Sequence, residues 1–190
     1  MGLLNKGNSV WFSVSNNPKR KLRYTLEIID VDKKLVGINT FLTNKIVCEA
    51  ILKNKISHFK NHSILKPEAV YKKGTRFDFY LEMKNKKIFI EVKNVTLVRK
   101  KKIAEFPDSI TKRGTKHLEH LIEANKKGYT CYMLYLIQRN DCIFFKIADD
   151  IDPVYKKMYK KALDAQVKML CFDCKINQEK IEINNPIQIL

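Results

Sequence analysis

Asp78 in "RFDFYL" is followed thirteen residues later by Glu91 and then by Lys93 in "IFIEVKNV". Two carboxylates and an ammonium at this spacing have the chemistry to hold a hard divalent cation and to steady a water or a phosphate oxygen beside it. Alternate side chains of an extended chain share a face. Phe77, Phe79 and Leu81 then point one way, and Arg76, Asp78 and Tyr80 the other. In the following strand Ile88, Ile90 and Val92 oppose Phe89, Glu91 and Lys93. A tight turn at "KNK", near Asn85, sets Asp78 opposite Glu91 or Lys93, and both registers leave all three on one face. The second strand is apolar enough to lie inside a sheet, where each isolated charge costs on the order of several kcal/mol. Magnesium or manganese would remove that cost and the repulsion of the two carboxylates. The competing account is a structural ion pair, Glu91 with Lys93 or Asp78 with Arg76, at a sheet end near solvent.

These residues need a framework. Residues 8–14, 24–31 and 35–38 read as strands, with the basic loop "SNNPKRKLR" between the first two. Residues 43–55 read as a helix capped by Thr43 or Asn44, with Ile46, Val47, Ala50 and Ile51 on its apolar face. A strand at 64–71 precedes the hairpin, and "VRKKK" at 98–102 reads as a charged loop. A helix over 112–126 ends at Gly128. Strands follow at 130–137 and 142–148. Asp152 and Pro153 open another helix in the preferred N-cap and N1 order. Strands over 167–176 and 180–185 close the chain. Helices alternate with strands after residue 42, which predicts an α/β domain with a mixed sheet behind an all-β segment at 1–40.

The chain has 190 residues, 45% of them hydrophobic, enough for one domain with a small appendage. No apolar run is long enough for a membrane span, and no secretory signal is read at the N-terminus. Cys131 and Cys142 fall in apolar strands, as in a reducing, cytoplasmic setting. Cys171 and Cys174 form a CxxC without a second Cys or His pair nearby, weak grounds for zinc or redox chemistry. Net charge is +17, from 37 basic and 20 acidic residues. That excess favours a polyanionic partner, although a chain rich in Lys, Asn and Ile also reflects compositional bias.

The order of helix with Glu, strand with Asp, strand with Glu-x-Lys and helix resembles the PD-(D/E)xK nuclease superfamily. Within it the chain resembles the sugar fermentation stimulation protein A family, through "NPKRKL" (17–22), "VGINT" (36–40), "TRFDF" (75–79), "EVKNVTL" (91–97), "FPDSITKRGTKHLEHL" (106–121), "IQR" (137–139) and "DDIDPVY" (149–155). The resemblance implies a restriction-endonuclease-like core over 41–190 and a partial OB-like β module over 1–40, because family members begin with further strands. It implies DNA binding with little sequence preference, and metal-dependent phosphodiester hydrolysis. Carried over by motif, Asp78 and Glu91 hold Mg2+ or Mn2+, and Lys93 orients or activates the attacking water. Glu49, on the preceding helix, matches a position that adds a ligand or an outer-shell base; Glu68 is its rival.

Arg113, Lys116, His117 and His120 form a stripe at helical spacing that can hold phosphates; Arg76, on the face of Asp78, and Lys19, Arg20 and Lys21 in the N-terminal loop are the other candidate nucleic-acid contacts. Trp11, Phe12 and Tyr24 are aromatic neighbours of that loop, suited to core packing or to stacking on single-stranded bases. Three functions compete. They are a metal-dependent DNA nuclease, a DNA-binding protein on a silent nuclease scaffold and, with least support, an RNA-binding module.

Overall fold

The structure is a computed structural model that describes residue 3 and residues 5–190. Three antiparallel strands come first: β1 (Val10–Val14), β2 (Tyr24–Val31) and β3 (Lys34–Gly37), in the order β1-β2-β3. A turn of 3-10 helix at Thr40–Leu42 leads into α1 (Thr43–Leu52). Then come β4 (Ile64–Lys72), β5 (Thr75–Met83), β6 (Lys86–Val95), β7 (Leu97–Lys100) and β8 (Ile103–Phe106). The rest is α2 (Lys112–Lys126), β9 (Thr130–Ile137), β10 (Phe144–Ile147), α3 (Pro153–Asp164), β11 (Lys168–Ile176), β12 (Ile181–Pro186) and β13 (Gln188–Ile189).

The central sheet runs β12-β11-β9-β6-β5-β4. Its middle strands β6, β9 and β11 are parallel, and the pairs at both ends are antiparallel. This is the expected mixed sheet flanked by helices. Parallel strands need a crossover and are covered on both faces, which explains why β9 ("TCYMLYLI") is buried at every position after Thr130. One face packs on α1 and the N-terminal sheet, through Val47, Ile51, Phe79, Ile90 and Leu134. The other packs on α2 and α3, through Leu118, Leu121, Tyr135, Phe145 and Tyr155.

A second sheet, β13-β10-β8-β7, lies beyond the end of β6. The stretch expected as a charged loop at 98–102 instead contains most of β7 and its turn into β8. Its charges point outward, where Arg99 bonds Glu105 and Asp150. Asp152 caps α3, accepting from the Tyr155 N–H at 2.8 Å. At α1 the capping expectation is corrected: no side chain caps it. Thr43 accepts from Gln138 at 3.1 Å and Asn44 bonds Asp78, so both are taken up by tertiary contacts. Cys171 and Cys174 are free and packed in opposite cores, which leaves the CxxC a pair of small apolar residues.

Candidate functional site

The hairpin of β5 and β6 closes through Lys84 and Asn85, both with positive φ, between the paired Met83 and Lys86. Pairing continues to Phe79 and Ile90, then stops. The next position in that register sets Asp78 across from Glu91. There the strands part, and the Asp78 side chain takes over the missing backbone role: its Oδ2 accepts from the Val92 N–H at 2.7 Å. Its Oδ1 accepts from Asn44 Nδ2, also at 2.7 Å. Both carboxylate oxygens are thus fixed, one by the neighbouring strand and one by the first turn of α1.

On the other side of Asp78, β4 is distorted. Pro67 pairs with Phe79 and Ala69 with Phe77, so Glu68 stands across from Asp78. Glu68 is exposed and has φ +51, a left-handed conformation rarely taken by a residue other than glycine. The local turn-over also corrects one expected face. Phe79 joins the core under α1, whereas Phe77 joins the core under α2.

Glu91 is buried, with 2% exposure. Lys93 Nζ donates to its Oε1 at 2.6 Å, and His117 Nδ1 contacts the same oxygen. Arg113 Nε donates to His117 Nε2 at 3.3 Å, and Lys93 Nζ lies 3.0 Å from His117 Nδ1. Burial pushes the Glu91 carboxyl up, but the His117 bond and the Lys93 charge outweigh it and hold the group below the ordinary range. Asp78 lies above its ordinary range, first because of burial and next because of the Glu91 charge. The two acids are therefore in opposite electrostatic conditions a single strand apart.

Two cavities of ≈ 630 Å³ each meet at this point. Both are lined by Glu68, Asp78, Glu91, Arg113 and His117. The first continues over Phe41, Cys48, Pro67, Phe79 and Val92, with Lys45, Lys93 and Asn94 at its sides. The second continues along Lys72, Arg76, Lys116 and His120.

Of the residues singled out in the sequence, Asp78, Glu91, Lys93, Arg113 and His117 converge, with Arg76 and Lys116 on the second arm. Glu49 does not join them. It is corrected to a surface residue on another side of α1, paired with Lys53, beside Lys55 and Glu182. The buried stripe Ile46, Val47, Ala50 and Ile51 sets the phase of the helix, and that phase turns Asn44, not Glu49, toward the cleft. Lys19, Arg20 and Lys21 are exposed in the β1–β2 loop and line neither cavity. Phe12 and Tyr24 are exposed and meet edge to face at 5.3 Å, whereas Trp11 packs against the core. Sequence reasoning misses Asn44 and Phe41. The only signal for Asn44 is a polar residue in the first turn facing the strand that carries Asp78.

Comparison with known proteins agrees with this architecture. The sequence profile described as "Sugar fermentation stimulation protein RE domain" matches residues 41–180, and that described as "SfsA N-terminal OB domain" matches residues 1–38. A sugar fermentation stimulation protein homologue of Pelagibacter ubique is 50% identical over 189 residues, 100% of this chain and 82% of the relative. A homologue of Agrobacterium fabrum is 38% identical, covering 99% of this chain and 79% of the relative. The solved structure of Pyrococcus furiosus SfsA in complex with Ca2+ has the same fold. Its TM-score is 0.87 at 23% identity, over 95% of this chain and 77% of that one.

Proposed function

The chain belongs to the sugar fermentation stimulation protein family, and we propose that it binds DNA and hydrolyses its phosphodiester bonds with a divalent cation, Mg2+ or Mn2+. The observation that carries this reading is Asp78. Its carboxylate is held rigidly by Val92 and Asn44, beside Glu91 and Lys93, where a cationic arm opens.

The donor set fits a hard cation. Asp78 and Glu91 supply carboxylate oxygens, and Glu68 stands across from Asp78 with no ion-pair partner among the described residues. Among the described residues no three His, Cys, Asp or Glu side chains are already gathered into a metal cage. In this reading Glu68 is the further carboxylate available to a cation held by Asp78 and Glu91. Burial and then the nearby Glu91 charge raise the Asp78 carboxyl, and a bound cation would lower it. Pyrococcus furiosus SfsA was solved with Ca2+, and a divalent cation is the ligand assigned here.

When bound by Asp78 and Glu91, the cation would supply Lewis acidity and offset the negative charge that develops on the phosphate. Lys93 holds the attacking water or a phosphate oxygen, once its ammonium is freed from Glu91. Arg113, Lys116 and Arg76 hold the flanking phosphates. His117 keeps Glu91 ionised and in place. The five free cysteines, four of them buried, suit a reducing cytoplasm, and among the described residues no helix is long and apolar enough to cross a membrane.

One observation favours a second reading, DNA binding without cleavage: Lys93 and His117 already neutralise Glu91 without a metal. Titration calorimetry with Mg2+ and Mn2+, on wild type and Asp78→Ala, separates the two when supercoiled DNA is added to the same samples. Metal heat and nicked product from wild type alone support the nuclease. DNA binding without metal heat supports the silent scaffold and refutes the catalytic roles.

A further inference from the structure

The two arms of the cleft differ in chemistry. One is a row of cations suited to phosphates. The other is mostly apolar, and Phe41 stands at its mouth with 86% of its surface exposed. The ring is presented by a single 3-10 turn whose start is fixed by Asn39, which accepts from the Phe41 N–H at 3.1 Å. Isolated surface aromatics need no explanation, but this one continues into Pro67, Cys48 and Phe79 along a wall that ends at Asp78. A cavity of this size falls within the range of small-molecule sites.

We infer that the apolar arm takes an unpaired nucleobase, stacked on Phe41, from the nucleotide next to the scissile phosphate. Single-stranded or frayed DNA is then the preferred substrate over intact duplex. The inference rests on the proposed function and adds the form of the DNA. The physical reason is access. Bases within a duplex have both faces covered by their neighbours, whereas an unpaired base offers a π face to an aromatic ring whatever its sequence. With phosphates on Arg76 and Lys116 and a base on Phe41, the chain between them crosses Asp78 and Glu91.

The test is fluorescence anisotropy with a labelled single-stranded oligonucleotide and a blunt hairpin duplex of the same sequence, in calcium buffer at low salt, with intactness checked on a gel. Phe41→Ala is exposed enough to leave folding alone, which a melting curve verifies. The expected result is a roughly tenfold loss of single-strand affinity with duplex affinity little changed, since stacking on one base is worth about that much. Phe41→Trp retains the single-strand affinity. Wild-type affinity for both DNAs in Phe41→Ala, or equal losses for both, overturns the inference while leaving the proposed function standing. Absence of binding by wild type to either DNA removes the proposed function itself, and the inference with it.

Discussion

Replacing Lys93 by Met tests whether Glu91 is a buried anion that needs a cation. The Glu91 side chain is 3% exposed and that of Lys93 13%. Breaking a buried pair by removing one partner costs about 3–5 kcal/mol, because the other charge stays behind. His117 remains on Glu91, so the lower end applies, about 3 kcal/mol. At about 2–4 °C per kcal/mol for a chain of this size, the metal-free variant should melt roughly 6–12 °C below wild type. A divalent cation replaces the missing charge. At 100-fold excess over its dissociation constant it returns about 2.7 kcal/mol. The assay is thermal unfolding by circular dichroism, with chelator and with 10-fold steps of MgCl2. We expect a larger magnesium-induced rise in the variant than in wild type, while cleavage stays absent at every concentration. Equal melting temperatures without metal would show that Glu91 does not depend on Lys93. A variant destabilised but indifferent to magnesium would refute the assignment of Glu91 as a metal ligand.

Five further variants have expected outcomes. Glu49→Gln should leave melting and cleavage unchanged, whereas Glu68→Gln should weaken Mg2+ binding, on the order of tenfold by calorimetry. Asn44→Ala removes the donor that fixes Asp78 Oδ1, so metal affinity should fall about 10- to 100-fold while circular dichroism stays native. Glu105 lies below its ordinary range because Arg99, and then Lys146, bond it. Its contribution is therefore present above the unfolded carboxyl pKa, about 4.3, and is lost as pH falls through the folded value. Urea unfolding of Glu105→Gln should accordingly show a flatter decline across that acid range than wild type. Replacing Lys19, Arg20 and Lys21 together by Ala should weaken DNA binding and reduce its dependence on salt, read from anisotropy between 50 and 200 mM NaCl, roughly the range in which such slopes are measured.

The hairpin that carries Asp78, Glu91 and Lys93 is legible in the sequence because alternation and turn chemistry agree there. Asp152–Pro153 marks the start of α3 for the same reason: one local rule with no competitor. Glu49 is misread because motif order fixes the helix, not its rotation, and rotation follows from which residues the sheet buries. The β7–β8 hairpin hides behind its lysines, since a strand whose charges face solvent lacks the period on which strand reading depends. Phe77 breaks alternation at the point where β5 parts from β6 and Glu68, with a left-handed backbone, stands across from Asp78. That reversal is a property of two paired strands, and neither strand announces it alone.

The parallel pairing of β6 with β9 also orders events in time. Glu68, Asp78 and Glu91 lie on three strands joined by tight turns, so the acidic half of the cleft assembles from local contacts. Arg113 and His117 belong to the crossover of residues 96–129 and reach the site only once β9 has docked on β6. Non-local pairing is the slow part of folding, and chains emerge from the ribosome N-terminus first. The nascent chain therefore presents its clustered carboxylates with Lys93 as their partner and without Arg113 and His117, an interval in which solvent ions supply the rest of the positive charge.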